Sequence, residues 1–165
     1  MIIIAHRGNL HGVNPARENS PTYLRQALEQ GYYVECDVWL VRGKLWLGHD
    51  SPQYETDIHF LQINPKIICH CKTIETLSYL LMHNLHCFFH DKDGATLTSQ
   101  GKIWLYPGTT ICQEGIAVMP EWPSIDYGKD KTWQQHIVDH RYLLYGVCTD
   151  HVSDLVAALN RAQPK

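Results

Sequence analysis

The sequence predicts an α/β fold, a parallel sheet covered by helices. Two observations predict it. Short apolar runs rich in β-branched and aromatic residues alternate with amphipathic stretches, and the turns between them carry glycine, proline and capping residues. Ile2 to Ala5 reads as the first strand. Ser20-Pro21 supplies an N-cap and a first-turn proline for a helix whose apolar face is Tyr23, Leu24, Ala27 and Leu28, closed by Gly31. Tyr32 to Leu40 is the second strand, and Arg42-Gly43 turns it into a hairpin ending at Leu45-Trp46-Leu47. Ile67 to Cys71 follows as the third, then a helix with Ile74, Leu77, Leu80 and Leu81 on one side. Further strands are expected at His86–Phe89, Lys102–Tyr106, Gly115–Met119 and Tyr145–Cys148, and a last helix carries Leu155, Val156, Ala158 and Leu159. The polar, irregular stretch from Glu121 to Arg141 is assigned to no element.

Length and composition bound the function. The 165 residues form one domain, 1–165, with no internal repeat and no linker. A net charge of −3 and 19% charged residues argue against a nucleic-acid partner, which would demand a basic stripe. No apolar run reaches membrane-spanning length, and Met1-Ile-Ile-Ile-Ala5 is too short for a signal peptide, so a cytoplasmic, reducing location is expected. Six cysteines lack any Cys-x-x-Cys pair. Cys36, Cys69, Cys71, Cys87 and Cys148 lie in apolar runs, where a free thiol acts as a small core residue.

Chemistry concentrates around Glu35 and Asp37 in Tyr33-Val-Glu-Cys-Asp-Val-Trp39. In a strand, residues two apart share a face, so both carboxylates point one way while Val34, Cys36 and Val38 pack the other. Two carboxylates aimed together repel unless a cation lies between them, and a hard divalent ion is the usual solution. The pair is flanked by two histidine turns, Ala5-His-Arg-Gly8 and Leu47-Gly-His-Asp50. In Cys69-His-Cys-Lys72, strand parity puts His70 and Lys72 on one face, so His70 can also address the metal. The same parity splits Cys69 and Cys71 from His70, which discounts a zinc site on that cluster. His90 and Asp93, in His90-Asp-Lys-Asp93, follow a strand and fall on the same rim as second-rank candidates, and Glu121 follows Val118-Met-Pro120. Plainer readings compete. His6 could bond a backbone carbonyl, the acids could sit in a salt-bridge network, and Lys72 could serve only as their counter-charge. Glu18-Asn19 reads as a helix-entry device holding the first loop.

The order His6-Arg7-Gly8, Glu18-Asn19, Glu35-x-Asp37, His49-Asp50, with a late Gly146-Val-Cys-Thr-Asp150, resembles the glycerophosphodiester phosphodiesterase family. The resemblance implies a TIM-type (β/α) barrel, here compact and reduced with some helices lost, because 165 residues fall well below the typical length of about 250. It implies hydrolysis of a small phosphodiester with Mg²⁺ or Ca²⁺. Under it His6 and His49 form the acid–base pair, Glu35 and Asp37 bind the metal, and Arg7 and Lys72 contact phosphate. His70 stands where the family has a glutamate, and an imidazole moves the preference toward Mn²⁺ or Zn²⁺. The same residues would serve a cyclising phosphodiester lyase, or a non-catalytic binder of a phosphorylated ligand.

Overall fold

The computed structural model describes residues 1–162. In chain order the elements are β1 (Ile2–His6), α1 (Pro21–Glu29), β2 (Tyr33–Val41), β3 (Lys44–Leu47), β4 (Tyr54–Thr56), α2 (Ile58–Gln62), β5 (Ile67–Cys71), α3 (Ile74–Met82), β6 (Cys87–Phe88), β7 (Ala95–Leu97), β8 (Ile103–Leu105), β9 (Gly115–Val118), α4 (Trp133–His140), β10 (Gly146–Thr149) and α5 (Val152–Arg161). All ten strands belong to one curled, mixed sheet. Parallel pairing runs β6-β5-β2-β1-β10-β9-β8, while β3 and β4 extend β2 as an antiparallel meander and β7 pairs antiparallel to β8.

The expected TIM-type barrel is not formed. The described residues form an open, strand-rich half-barrel with five short helices. The reason lies in its connections. A parallel crossover takes a dozen or more residues, usually with a helix. Only residues 89–94 separate β6 from β7, and β8 reaches β9 through residues 106–114 alone. No helix fits there, so that flank stays thin. No ladder pairs β6 with β7; the loop after β7 touches β6 at one residue, where Ser99 donates its backbone N–H to the Cys87 carbonyl (2.8 Å) and the Cys87 N–H donates to Ser99 Oγ (3.0 Å).

Local rules account for the elements that position the site. Ser20 accepts from the Tyr23 N–H at the start of α1, with Pro21 in its first turn, and Thr73 caps α3 through the Thr76 N–H. Two faces of the sheet then separate by parity. Val34, Cys36, Val38, Ile67, Cys69 and Cys71 face outward under the helices, fully shielded. Ile4, Ile68, Phe88, Trp104, Ile116 and Cys148 fill the inside of the curl. All six cysteines are free thiols, five of them buried.

Helix α3 departs from expectation. Leu80 is buried, but Ile74 and Leu81 face solvent and Thr76 takes a core place, where its hydroxyl accepts from the Leu40 N–H. The unassigned stretch contains α4, whose Ile137 and Val138 pack inward. No helix among the described residues is long and apolar enough to cross a membrane.

Candidate active site

Strand register assembles the site. β1 and β2 align His6 with Glu35, and β2 and β5 align Asp37 with His70. Each of these residues continues the inward series of its strand, Ile4 to His6, Tyr33 to Glu35 to Asp37, and Ile68 to His70. They therefore stand one layer above the apolar plug, at the carboxyl ends of the strands.

Asp37 is fully buried and held on both oxygens. Its Oδ1 accepts from Lys72 Nζ (3.1 Å) and lies 3.1 Å from His70 Nδ1. Its Oδ2 accepts from Asn19 Nδ2 (3.0 Å) and faces Arg7 Nε at 3.0 Å, an ionic contact in which the N–H is not aligned for a hydrogen bond. Asn19 returns the contact by accepting the Asp37 backbone N–H (2.9 Å). Burial by itself raises a carboxyl pKa, but the His70 contact and the Arg7 and Lys72 charges outweigh it and hold Asp37 well below the usual range.

Glu35 is as deeply buried and far less compensated. It accepts one long bond from the Arg7 N–H (3.3 Å), and the His6 and His70 imidazoles stand at 3.9 Å. Burial, then the Asp37 charge, push its pKa up.

The charge balance favours a cation. Glu18, Glu35, Asp37 and Asp150 surround two permanent cations, Arg7 and Lys72, and Arg7 is shared with Glu18 through Nη1 (3.2 Å). Glu35, Asp37 and His70 each offer a ligand atom, all within 4.8 Å of one another. The donor set, two carboxylates and an imidazole with a net negative surround, fits a divalent metal.

His6 has a fixed orientation. Its Nδ1–H donates to Asp150 Oδ1 (2.8 Å), since an ionised carboxylate only accepts, and this leaves Nε2 on the side of Glu35. Burial lowers the imidazole pKa, yet the Asp150 bond and the Glu35 and Asp150 charges more than reverse this, and it stands above 6.5. Asn9 braces Asp150 (2.7 Å) and also donates to Glu18 Oε1 (2.9 Å), while Glu18 ties back to Arg7. His49 enters from the loop after β3, half-exposed, with Nδ1 2.7 Å from Asp50. Burial and the Arg7 charge lower its pKa.

A cavity of about 190 Å³ opens among these groups. Its polar half is His6, Arg7, Glu35, His49, His70 and His90; its apolar half includes Trp104, Tyr106, Val118, Met119 and Trp122. His90 stacks on His70 (4.8 Å between centroids), and Asp93 also lines the cavity. Lys72 lies outside it, beside His49, His70 and His90 in an adjoining groove, and serves Asp37 as counter-charge. Glu121 does not line the cavity either. Its Oε1 accepts from Thr149 Oγ1 (2.8 Å) and the Asp150 N–H (2.7 Å), so it fixes the loop that carries Asp150.

Residue patterns do not select Asn9 or the aromatic wall, and Asn19 and Asp150 enter only as members of the motif order, with no role at the metal or the histidines. Parity offered a signal for some of them, because Asp150 continues the inward series of Cys148, and Tyr106 that of Trp104. Asn19 gave none, since its role depends on a bond to a residue 18 positions away. Its φ of 62°, with 51° at Arg7 and 47° at Met119, places left-handed non-glycine backbone at three points around the site. No family model, curated protein or solved structure matches the chain.

Proposed function

We propose that the protein is a metal-dependent phosphodiesterase acting on a small phosphodiester, in keeping with the resemblance to the glycerophosphodiester phosphodiesterase family. The observation that carries this reading is the convergence, in one cavity, of an oriented His6, a second imidazole in His49, and Glu35 and His70, the two cavity-lining members of the Glu35–Asp37–His70 group. Glu35, Asp37 and His70 would hold the cation. When bound, it would supply Lewis-acid stabilisation of charge building on the phosphoryl oxygens. A d-block ion such as Mn²⁺ or Zn²⁺ suits the imidazole better than Mg²⁺ or Ca²⁺ does.

The two histidines divide the proton transfers by environment. His49, with a depressed pKa, is neutral near pH 7 and takes the proton from the attacking water. His6, with a pKa raised above the ordinary imidazole value, is the better proton donor of the two and gives a proton from Nε2 to the departing alkoxide. The water oxygen bonds to phosphorus, the ester P–O bond breaks, and an alcohol and a phosphomonoester leave. Asp150 carries the countercharge that keeps His6 protonated. Arg7, which lines the cavity while Glu18 holds its Nη1, would provide further positive charge toward the phosphate.

The test is hydrolysis of bis(4-nitrophenyl) phosphate by purified protein with Mg²⁺, Ca²⁺, Mn²⁺ or Zn²⁺. Turnover is expected with at least one ion, a chelator stops it, and His6→Ala and Glu35→Ala each lower it about 10²- to 10⁴-fold. Turnover left unchanged in both variants would end this reading.

A further inference from the structure

The half of the cavity that the acid–base chemistry does not use is built of rings. Tyr106 and Trp122 meet edge to face, with centroids 6.1 Å apart and planes at 86°, and both remain substantially open to solvent, 44% and 39% exposed. Below them Trp104 is fixed by stacking on Phe88 (4.4 Å), and that ring pair belongs to the apolar plug inside the curl. The wall is anchored rather than loose. Met119 donates its N–H to the Cys148 carbonyl (2.8 Å), Trp122 donates to the Met119 carbonyl (3.1 Å), and Tyr106 donates to the Gly94 carbonyl (2.9 Å). Two exposed aromatics at right angles, held by backbone bonds within one cavity of His6 and Glu35, would be costly decoration for a glycerol-sized substrate.

We propose that this wall is a ring-binding subsite: the phosphodiester substrate carries a planar aromatic heterocycle, of the nucleobase type, on one of its two alcohols. The inference rests on the phosphodiesterase reading and adds the substrate class. With Tyr106 and Trp122 at right angles on one cavity wall, a flat ring bound there would stack on one and lie edge-on to the other, which is the arrangement aromatic groups prefer. A long acyl chain is disfavoured because the Ile4–Ile68–Phe88–Trp104 layer closes the cavity below. A polymeric nucleic acid is disfavoured by the net charge of −3 and the absence of a cationic track among the groups lining the cavity, where Arg7 is the one permanent cation. A small nucleoside-type phosphodiester satisfies both halves at once, with phosphate toward the imidazoles and the base against Trp122.

The experiment uses two probes that differ in the base alone, the methyl ester of uridine 5′-phosphate and the methyl ester of 1-O-methylribose 5-phosphate. Turnover is followed by phosphorus NMR on metal-loaded protein, and affinity by calorimetry on chelator-treated protein, where no hydrolysis intervenes. The uridine ester is expected to lead by about ten- to a hundredfold in kcat/KM and in affinity, the span that stacking one base on aromatic side chains provides. Trp122→Ala brings both ratios toward one, and Trp122→Phe keeps most of the preference. Tyr106→Leu serves as the second variant if Trp122→Ala loses its folded circular dichroism spectrum. If neither ester is cleaved but the calorimetric preference stands and disappears in Trp122→Ala, the hydrolytic reading fails and the ring subsite holds. Equal cleavage and equal binding of the two esters overturns the subsite and leaves hydrolysis intact. Binding of neither probe, or a preference that survives both variants, also overturns it.

Discussion

Asp150 gives His6 both its direction and its charge. The 2.8 Å bond selects the tautomer that leaves Nε2 toward the cavity, and the buried carboxylate stabilises the imidazolium. Asp150→Asn retains the shape and removes the charge, while burial continues to favour neutral imidazole. Turnover of the variant is expected to fall about tenfold or more. The pH profile carries the sign. His49 must be neutral, so activity rises as pH climbs through a value below 6.5, and His6 must be protonated, so activity falls as pH passes a value above 6.5. The wild-type profile is therefore bell-shaped, and Asp150→Asn moves its alkaline limb to lower pH. A pH–rate series on both proteins checks this, and an unmoved alkaline limb would remove His6 as the acid. His6, Glu35 and Asp37 were legible as residues because their types and spacing are unusual for a structural strand. Their partners were not, because Asn19, Asn9 and Asp150 are ordinary in any local window and acquire meaning only across 18, 9 and 144 positions of chain.

At the scale of elements, the β2–β3 hairpin and the turn after it carry His49, and Gly48 is its constraint. The residue has φ 148°, and a Cβ there would stand 2.2 Å from the Ser51 carbonyl oxygen. Its own N–H donates to the Asp37 carbonyl (3.1 Å), and its carbonyl accepts from Trp39 Nε1 (2.6 Å), so the turn cannot yield without disturbing β2. Gly48→Ala is expected to destabilise the fold by about 1–3 kcal/mol. It should also depress turnover beyond what stability explains, because His49 moves. Urea titration and kinetics on the same preparation separate the two effects. Elements with strong local chemistry matched their sequence readings, among them α1 with Ser20-Pro21 and β5 with its apolar Ile67-Ile68-Cys69 start. Some of the short ones did not, although β6 and β8 fall within the expected His86–Phe89 and Lys102–Tyr106 strands. Strands β4 and β7, three residues each, and the five-residue helix α2 are held mainly by pairing and packing, and α4 lies in a stretch whose only local start signal is Thr132.

For the whole molecule, stability carries a pH dependence separate from the site. His86 is buried before β6 with Nε2 unpartnered, and burial together with the Lys102 charge lowers its pKa to about 4. A depressed histidine stays neutral when folded while the unfolded chain takes a proton. Its contribution to stability is whole above pH 6.5 and is lost between 6.5 and about 4. The loss approaches about 3 kcal/mol at the acid end. His86→Leu should flatten that part of the stability curve, read as the difference between the two proteins in urea midpoints from pH 7.5 to 4.5. Parallel curves would contradict it.

Sequence by itself determined helices α1, α3 and α5 with the strands beside them, the shared parity of Glu35 and Asp37 and of His70 and Lys72, and the buried role of five of the six cysteines. Each is a local property of side-chain type and a period of two or 3.6 residues. Only the tertiary structure decided that the sheet stops at an open half-barrel, since closure depends on whether each connection has room for a covering helix. It also decided that Asp37 is locked between Arg7 and Lys72 while Glu35 is left short of positive charge, and that Trp104, Tyr106 and Trp122 face the histidines. Those outcomes follow from curvature and register, which bring distant strands to one rim and which no single stretch of chain encodes.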